Sequence, residues 1–196
     1  LTSDSWKTWA PEIYEDYLQC HCNIVARDSS LDLIYPAETL DILPFASLTA
    51  NLGPRTTCCR HRDSKNRGAG GLCAVKTLGR FNWKRGGHLI LHKLGLIVEM
   101  RPGDVVFFPS AIISHENIPI GDSEKRYSLV WYSAGGLFHW QDANFHSLIS
   151  WGEVDPIGLD DHQRKGEYRW INGWKRHSTL SELIARATNP SGVLKT

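Results

Sequence analysis

No apolar run in this chain approaches the roughly 18 residues needed to span a bilayer. The longest candidate, Val105-Val106-Phe107-Phe108, is stopped by Pro109. A secretory leader is not expected either. The start, LTSDSWKTWAPEIYEDYLQC, is acidic and lacks a basic stretch followed by an apolar run. Leu1 is expected to lie inside a longer or trimmed protein. There is no internal repeat and no low-complexity tract. Cysteine is sparse and odd in number, at Cys20, Cys22, Cys58, Cys59 and Cys73. Without a leader, that count favours reduced thiols and an intracellular setting. Cys20-His21-Cys22 is a conceivable zinc motif, but no second Cys/His pair lies at finger spacing, so a structural zinc is the lesser reading.

What is present fits one globular domain. The chain has 196 residues, 41% apolar and 22% charged, enough for one sizeable core. Its net charge is only +1, yet the charge is unevenly spread. Residues 1–50 carry eight acids and two bases, whereas residues 51–101 carry eleven Lys/Arg against Asp63 and Glu99. A basic middle third suits a polyanion-binding face; the alternative is a solvated surface that happens to be rich in Lys and Arg.

Residues 6–22 have the pattern of a helix, with Pro11 in a first turn and Ile13, Tyr17 and Leu18 on one face. ARDSSLDLIYP reads as a loop ending at Pro36. From Phe45 to Tyr132 the apolar runs are short, β-branched or aromatic, and separated by Gly, Pro, Asn and Asp. FASLTANLGP, LCAVKTLG, HLILHKL, GLIVEM, DVVFFPS and YSLVWYS are expected strands, and their spacing points to a β-sandwich or barrel. STLSELIARAT (178–188) has the pattern of an amphipathic helix with Ser178 as N-cap and Glu182 in the first turn.

The chemistry centres on CCRHRDSKN, residues 58–66. His61 and Asp63 are two apart, so on a strand or its end both project to one side and reach one ion. His115 follows the apolar run of DVVFFPS. It completes a two-His-one-carboxylate set, which leaves three adjacent coordination positions open, as non-haem Fe(II) oxygenases require. Eleven residues later Arg126, two before Ser128, begins an apolar strand. An arginine inside a barrel needs an anion, and a dicarboxylate provides one.

The order His-x-Asp, His, Arg-x-Ser resembles that of Fe(II)/2-oxoglutarate-dependent dioxygenases over roughly residues 45–135. GGHLILHKLGLIVEMRPGDVVFFPSAIISHENIPI resembles the central segment of that superfamily. The resemblance implies a mainly β fold with flanking helices, a double-stranded β-helix (jelly-roll, cupin-like) barrel. A single domain 1–196 is expected, with a helical support at 1–44, the barrel at 45–135 and an extension at 136–196. It implies Fe(II) on His61, Asp63 and His115, and 2-oxoglutarate on Arg126 and Ser128, with ascorbate as reductant. Within the superfamily the chain is similar to the TET/J-binding-protein group of nucleic-acid base oxygenases. HRDSKN is similar to its pattern His-Arg-Asp-x-x-Asn, and RYSLVWY to Arg-x-Ser-Leu-Val-x-Tyr. YSAGGLFHW and the compact length look like the fungal, transposon-associated members.

That likeness implies a substrate pocket with Asn66 and Tyr132, a flipped base in DNA or RNA, and a nuclear location; Arg62, beside the metal set, suits a phosphate backbone, the alternative being a solvated side chain. The expected reaction is oxidation of a base methyl group, foremost 5-methylcytosine. The chain departs from the group at Ala134, where a base-contacting histidine is usual, which leaves the base open. The competing expectation is a 2-oxoglutarate hydroxylase of a protein side chain or small metabolite. Lys165, Arg169, Lys175 and Arg176, interleaved with Tyr168, Trp170 and Trp174, form either a second nucleic-acid contact or an aromatic cap on the core.

Overall fold

The computed structural model describes residues 3–31 and 44–188. The end of the loop expected to reach Pro36 lies outside those residues. The first helical segment is two helices, α1 (Ser3–Trp9) and α2 (Pro11–Arg27), instead of one. Pro11 has no amide hydrogen, so it opens a new helix at a position where that donor is not needed. α2 also runs five residues past Cys22, because Ile24 continues the stripe of Ile13, Tyr14, Tyr17 and Cys20 into the core.

All six expected strands form, β1 (Ser47–Asn51), β2 (Cys73–Arg80), β3 (Leu89–Leu91), β4 (Leu96–Val98), β5 (Val105–Phe108) and β7 (Lys125–Tyr132), and a seventh that was not expected, β6 (His115–Asn117), lies between the last two. They pair antiparallel in two sheets, ordered β1-β7-β2-β5 and β4-β3-β6. The smaller sheet gains a fourth member at His61, which exchanges backbone hydrogen bonds with His115 at 3.0 and 2.9 Å. The chain thus passes back and forth between the sheets: β1, the His61 segment, β2, β3 and β4, β5, β6, β7. This is a double-stranded β-helix, a jelly-roll barrel with flanking helices.

The larger sheet is covered on both faces. Its outer face meets α1 and α2 in one apolar cluster around Trp6, Tyr14, Tyr17 and Phe45, with Ala74, Phe107 and Trp131 from the strands. Trp6 stacks on Phe45 with ring centroids 4.4 Å apart. Its inner face meets the smaller sheet in a second cluster, with Cys73 and Phe108 against Leu89, Leu91 and Met100. Burial pushes the Cys73 thiol up to about 12, so it is an inert apolar filler here.

The mixed tail is helical: α3 (Gly135–Asp142), α4 (Leu148–Val154), α5 (Pro156–Arg164), α6 (Gly166–Lys175) and α7 (Leu180–Thr188). α7 is capped by Thr179 and not by Ser178. The Thr179 hydroxyl accepts from the Glu182 amide at 3.3 Å, and the Glu182 carboxylate accepts from the Thr179 amide at 2.7 Å. A capping box pairs residues three positions apart, and Thr179–Glu182 has that spacing.

Candidate metal centre and substrate pocket

His61, Asp63 and His115 converge, each offering a ligand atom within 4.8 Å of the others. His61 Nε2 lies 3.4 Å from one Asp63 oxygen, and His115 Nε2 lies 3.9 Å from the other. The two imidazoles are prepared in the same way. His61 Nδ1 is 2.8 Å from the Cys59 carbonyl, and His115 Nδ1 is 2.9 Å from the Ile113 carbonyl. A carbonyl can only accept, so both Nδ1 atoms carry the proton and both Nε2 lone pairs face the carboxylate. Burial also holds the His115 pKa below its ordinary value, favouring the neutral, ligating form. Two neutral imidazoles and one carboxylate fit a divalent first-row metal. Among the described residues no other group of three has this geometry. Cys20 and Cys22 do not make a zinc pair, because on α2 Cys20 enters the core while Cys22 is exposed.

The loop carrying His61 and Asp63 is pinned from the segments after β5 and before α3. Asp63 donates its amide to the Ser110 carbonyl at 3.0 Å, and Asn66 donates its side-chain amide to the Ser110 hydroxyl at 3.2 Å. Asn66 also bridges to Ala134 across the start of α3. Ser110 is buried and holds Asp63 and Asn66 of HRDSKN in register. Sequence reasoning missed it, since nothing marks the serine of VVFFPS as facing residues 63–66.

A cavity of about 500 Å3 opens beside the triad. Arg62, Asn66, Ser128 and Tyr132 line it, as do Asn51 and Cys58, which the sequence reading had not singled out. Ser128, Val130 and Tyr132 alternate along β7, so one strand face forms a wall. Arg126 continues that alternation toward the end of the barrel and is 1% exposed. It is not itself a wall residue of the cavity.

The surroundings of Arg126 define what it can bind. Its backbone amide donates to the Pro54 carbonyl at 2.7 Å, and Nη1 donates to the Thr56 carbonyl at 2.9 Å. Nε and Nη2 are buried and have no hydrogen-bond partner among the described residues. Burial lowers the Arg126 pKa, and the guanidinium still remains a cation. An Nε–Nη2 edge left open is a fork that fits a carboxylate, which it accepts bidentately.

The basic residues divide. Arg55 is paired with Asp122, and Arg67 with Asp16 at 2.7 Å. Arg62 and Lys65 stay at the cavity beside the triad. In the tail, Lys165 is paired with Asp161 at 2.5 Å and Arg176 with Asp16 at 3.2 Å, and Arg169 donates to the His162 carbonyl at 2.6 Å. Three of the four tail cations are therefore engaged by groups of this chain. A second cavity, of about 710 Å3, lies between these helices and the triad loop.

No protein-family model matches this sequence, and no curated protein does. Solved structures similar to it include NgTET1 in complex with 5mC DNA, at 17% identity and a TM-score of 0.42 over 69% of this chain and 54% of that one. Another is an oxidoreductase of the 2OG-Fe(II) oxygenase family from Burkholderia pseudomallei, at 22% identity and 0.33 over 44% and 40%. A third is a viral collagen prolyl hydroxylase from Paramecium Bursaria Chlorella virus-1 in complex with 2OG, at 15% and 0.34 over 60% and 90%. The chain spans about half the length of the NgTET1 chain. These likenesses concern the fold.

Proposed function

We propose that this protein is an Fe(II)/2-oxoglutarate-dependent dioxygenase acting on the methyl group of a modified nucleic-acid base, with 5-methylcytosine in DNA as the foremost substrate. The observation that carries the reading is the pairing, in one barrel, of a His–Asp–His set with a buried arginine whose Nε–Nη2 edge is unpartnered. His61, Asp63 and His115 would hold the iron, and Arg126 with Ser128 the far carboxylate of 2-oxoglutarate. Bound there, the pair supplies oxidative chemistry: dioxygen and 2-oxoglutarate are consumed, succinate and CO2 leave, and a C–H bond becomes C–OH.

The protein's own part is positioning and excluding water. The Cys59 and Ile113 carbonyls fix both imidazole tautomers before any metal arrives. The bulk of Phe108 and Leu89 keeps the inner end of the cavity apolar. A base inside a duplex cannot reach such a cavity, so it enters flipped out or from a single strand. Asn66 supports this reading, because its side-chain amide is fixed by Ser110 at the cavity wall and still has hydrogen-bonding capacity to offer a base edge. Tyr132 offers a ring on the facing wall, and Arg62 and Lys65 offer cations for flanking phosphates. A DNA substrate would imply a nuclear location.

The test is mass spectrometry of nucleosides after incubation with Fe(II), 2-oxoglutarate, ascorbate and oligonucleotides carrying 5-methylcytosine or N6-methyladenine, as DNA and as RNA. A His61→Ala/Asp63→Ala variant is the blank. Oxidised base absent from the blank is the expected result, and it names base and polymer. Succinate formation with every base untouched would sink the nucleic-acid reading and leave a hydroxylase of proteins or metabolites.

A further inference from the structure

The end of β1 and the turn after it do more than connect two sheets. Asn51 stands opposite Ser128 in the β1–β7 register, and its side-chain amide donates to the Ser128 hydroxyl at 3.0 Å. A hydroxyl that accepts from an N–H keeps its own proton free for a different acceptor. Ser128 is 4% exposed and lines the cavity, so that proton is available only inside the barrel. The same turn serves Arg126. Thr56 bonds back to the Asn51 and Gly53 carbonyls at 3.4 and 2.9 Å, and presents its own carbonyl to Arg126 Nη1. Pro54 takes the Arg126 backbone amide. Residues 51–56 therefore saturate one side of each group and leave the Ser128 hydroxyl proton and the buried Arg126 Nε–Nη2 edge for another partner.

We infer that Asn51 is a positioning residue for cosubstrate: it orients the Ser128 hydroxyl as a donor, so that Ser128 and Arg126 together present donors and no acceptor to one carboxylate. This rests on the 2-oxoglutarate reading above. Asn51 does not touch the reacting atoms; it acts through Ser128. Exchanging its amide for a carboxylate of the same shape reverses the hydrogen bond. The Ser128 proton then points at residue 51, and a negative charge stands beside the site.

The experiment is calorimetric titration of 2-oxoglutarate into Mn(II)-loaded protein, with wild type, Asn51→Ala, Asn51→Asp, Ser128→Ala and the Asn51→Ala/Ser128→Ala double variant. Thermal melts of each establish folding. Asn51→Ala should weaken binding about 3–10-fold, the worth of one neutral hydrogen bond. Asn51→Asp should weaken it at least about 30-fold through like charge and the reversed bond. In the Ser128→Ala background, Asn51→Ala should add nothing, because the group it orients is gone. With wild type binding normally, an Asn51→Asp variant as tight as Asn51→Ala, or single effects that add in the double variant, would overturn the inference alone. If wild type takes up Mn(II) but no 2-oxoglutarate, the cosubstrate reading itself falls, and the inference with it.

Discussion

His61 and His115 each place Nδ1 on a carbonyl two residues back, Cys59 for one and Ile113 for the other. This local device decides which nitrogen faces the Asp63 carboxylate. Asp63 cannot be spared, since it lies between both Nε2 atoms. His61→Ala or Asp63→Ala should abolish stoichiometric Mn(II) binding, checked by equilibrium dialysis with metal analysis, while leaving the melting temperature near wild type in the absence of metal. Arg126 is the costlier residue to alter. Its burial is tolerated because Nη1 and the backbone are bonded, and its open edge awaits an anion. Arg126→Gln should weaken 2-oxoglutarate binding by at least about 30-fold, the effect of removing one partner of a buried charged pair. Titration calorimetry of the Mn(II)-loaded variant measures it. An unchanged affinity would exclude Arg126 as the cosubstrate anchor.

At the scale of elements, the approach of β2 to β7 explains a glycine. Gly79 pairs with Arg126 and has φ +121, and a Cβ there would lie 2.2 Å from the Lys125 carbonyl oxygen. No side chain fits without moving the strand that carries Arg126 and Ser128. Gly79→Ala should therefore cost about 1–3 kcal/mol, a fall of roughly 2–10 °C in melting temperature by calorimetry. It should also weaken 2-oxoglutarate binding, although residue 79 faces no ligand. The strand pattern was readable because apolar, β-branched runs between turn residues leave little other choice. Boundaries were less readable. The break at Ala10 turns on the missing amide hydrogen of Pro11, and the cap at Thr179 on two bonds with Glu182, a role for which the adjacent Ser178 competes.

For the whole molecule, the barrel depends on its helical cover. Trp6, 1% exposed, is the centre of a ring cluster joining α1, α2, Phe45 and Phe107 over the outer face of the larger sheet. Trp6→Ala should cost about 3–5 kcal/mol, lowering the melting temperature by roughly 6–20 °C. A loss below 1 kcal/mol would mean that the N-terminal helices only lean on the barrel. Asp16 ties three regions together: it reaches from α2 to Arg67 in the triad loop and to Arg176 after α6. Arg67 also lies 3.6 Å over the Phe138 ring of α3. Its neighbour Asn66 is thus held by the tail as well as by Ser110. That use of charge explains why the basic middle third is only partly a surface. Arg55 and Arg67 are neutralised by carboxylates, one of them from the acidic N-terminal quarter, and Arg62 and Lys65 remain beside the cavity.

The class of architecture and the candidate ligands are legible along the chain. Strand periodicity and turn chemistry are local properties, and His61-x-Asp63 and Arg126-x-Ser128 are each three-residue motifs. Which groups complete them is set by the fold. Asn51 reaches Ser128 across 77 positions, Ser110 reaches Asn66 across 44, and Thr56 caps Arg126 across 70. A hydrogen bond between segments distant in the chain has no sequence period. Its partner is chosen by sheet register and by the requirement that buried donors find acceptors, and both exist only once the chain is closed into a barrel.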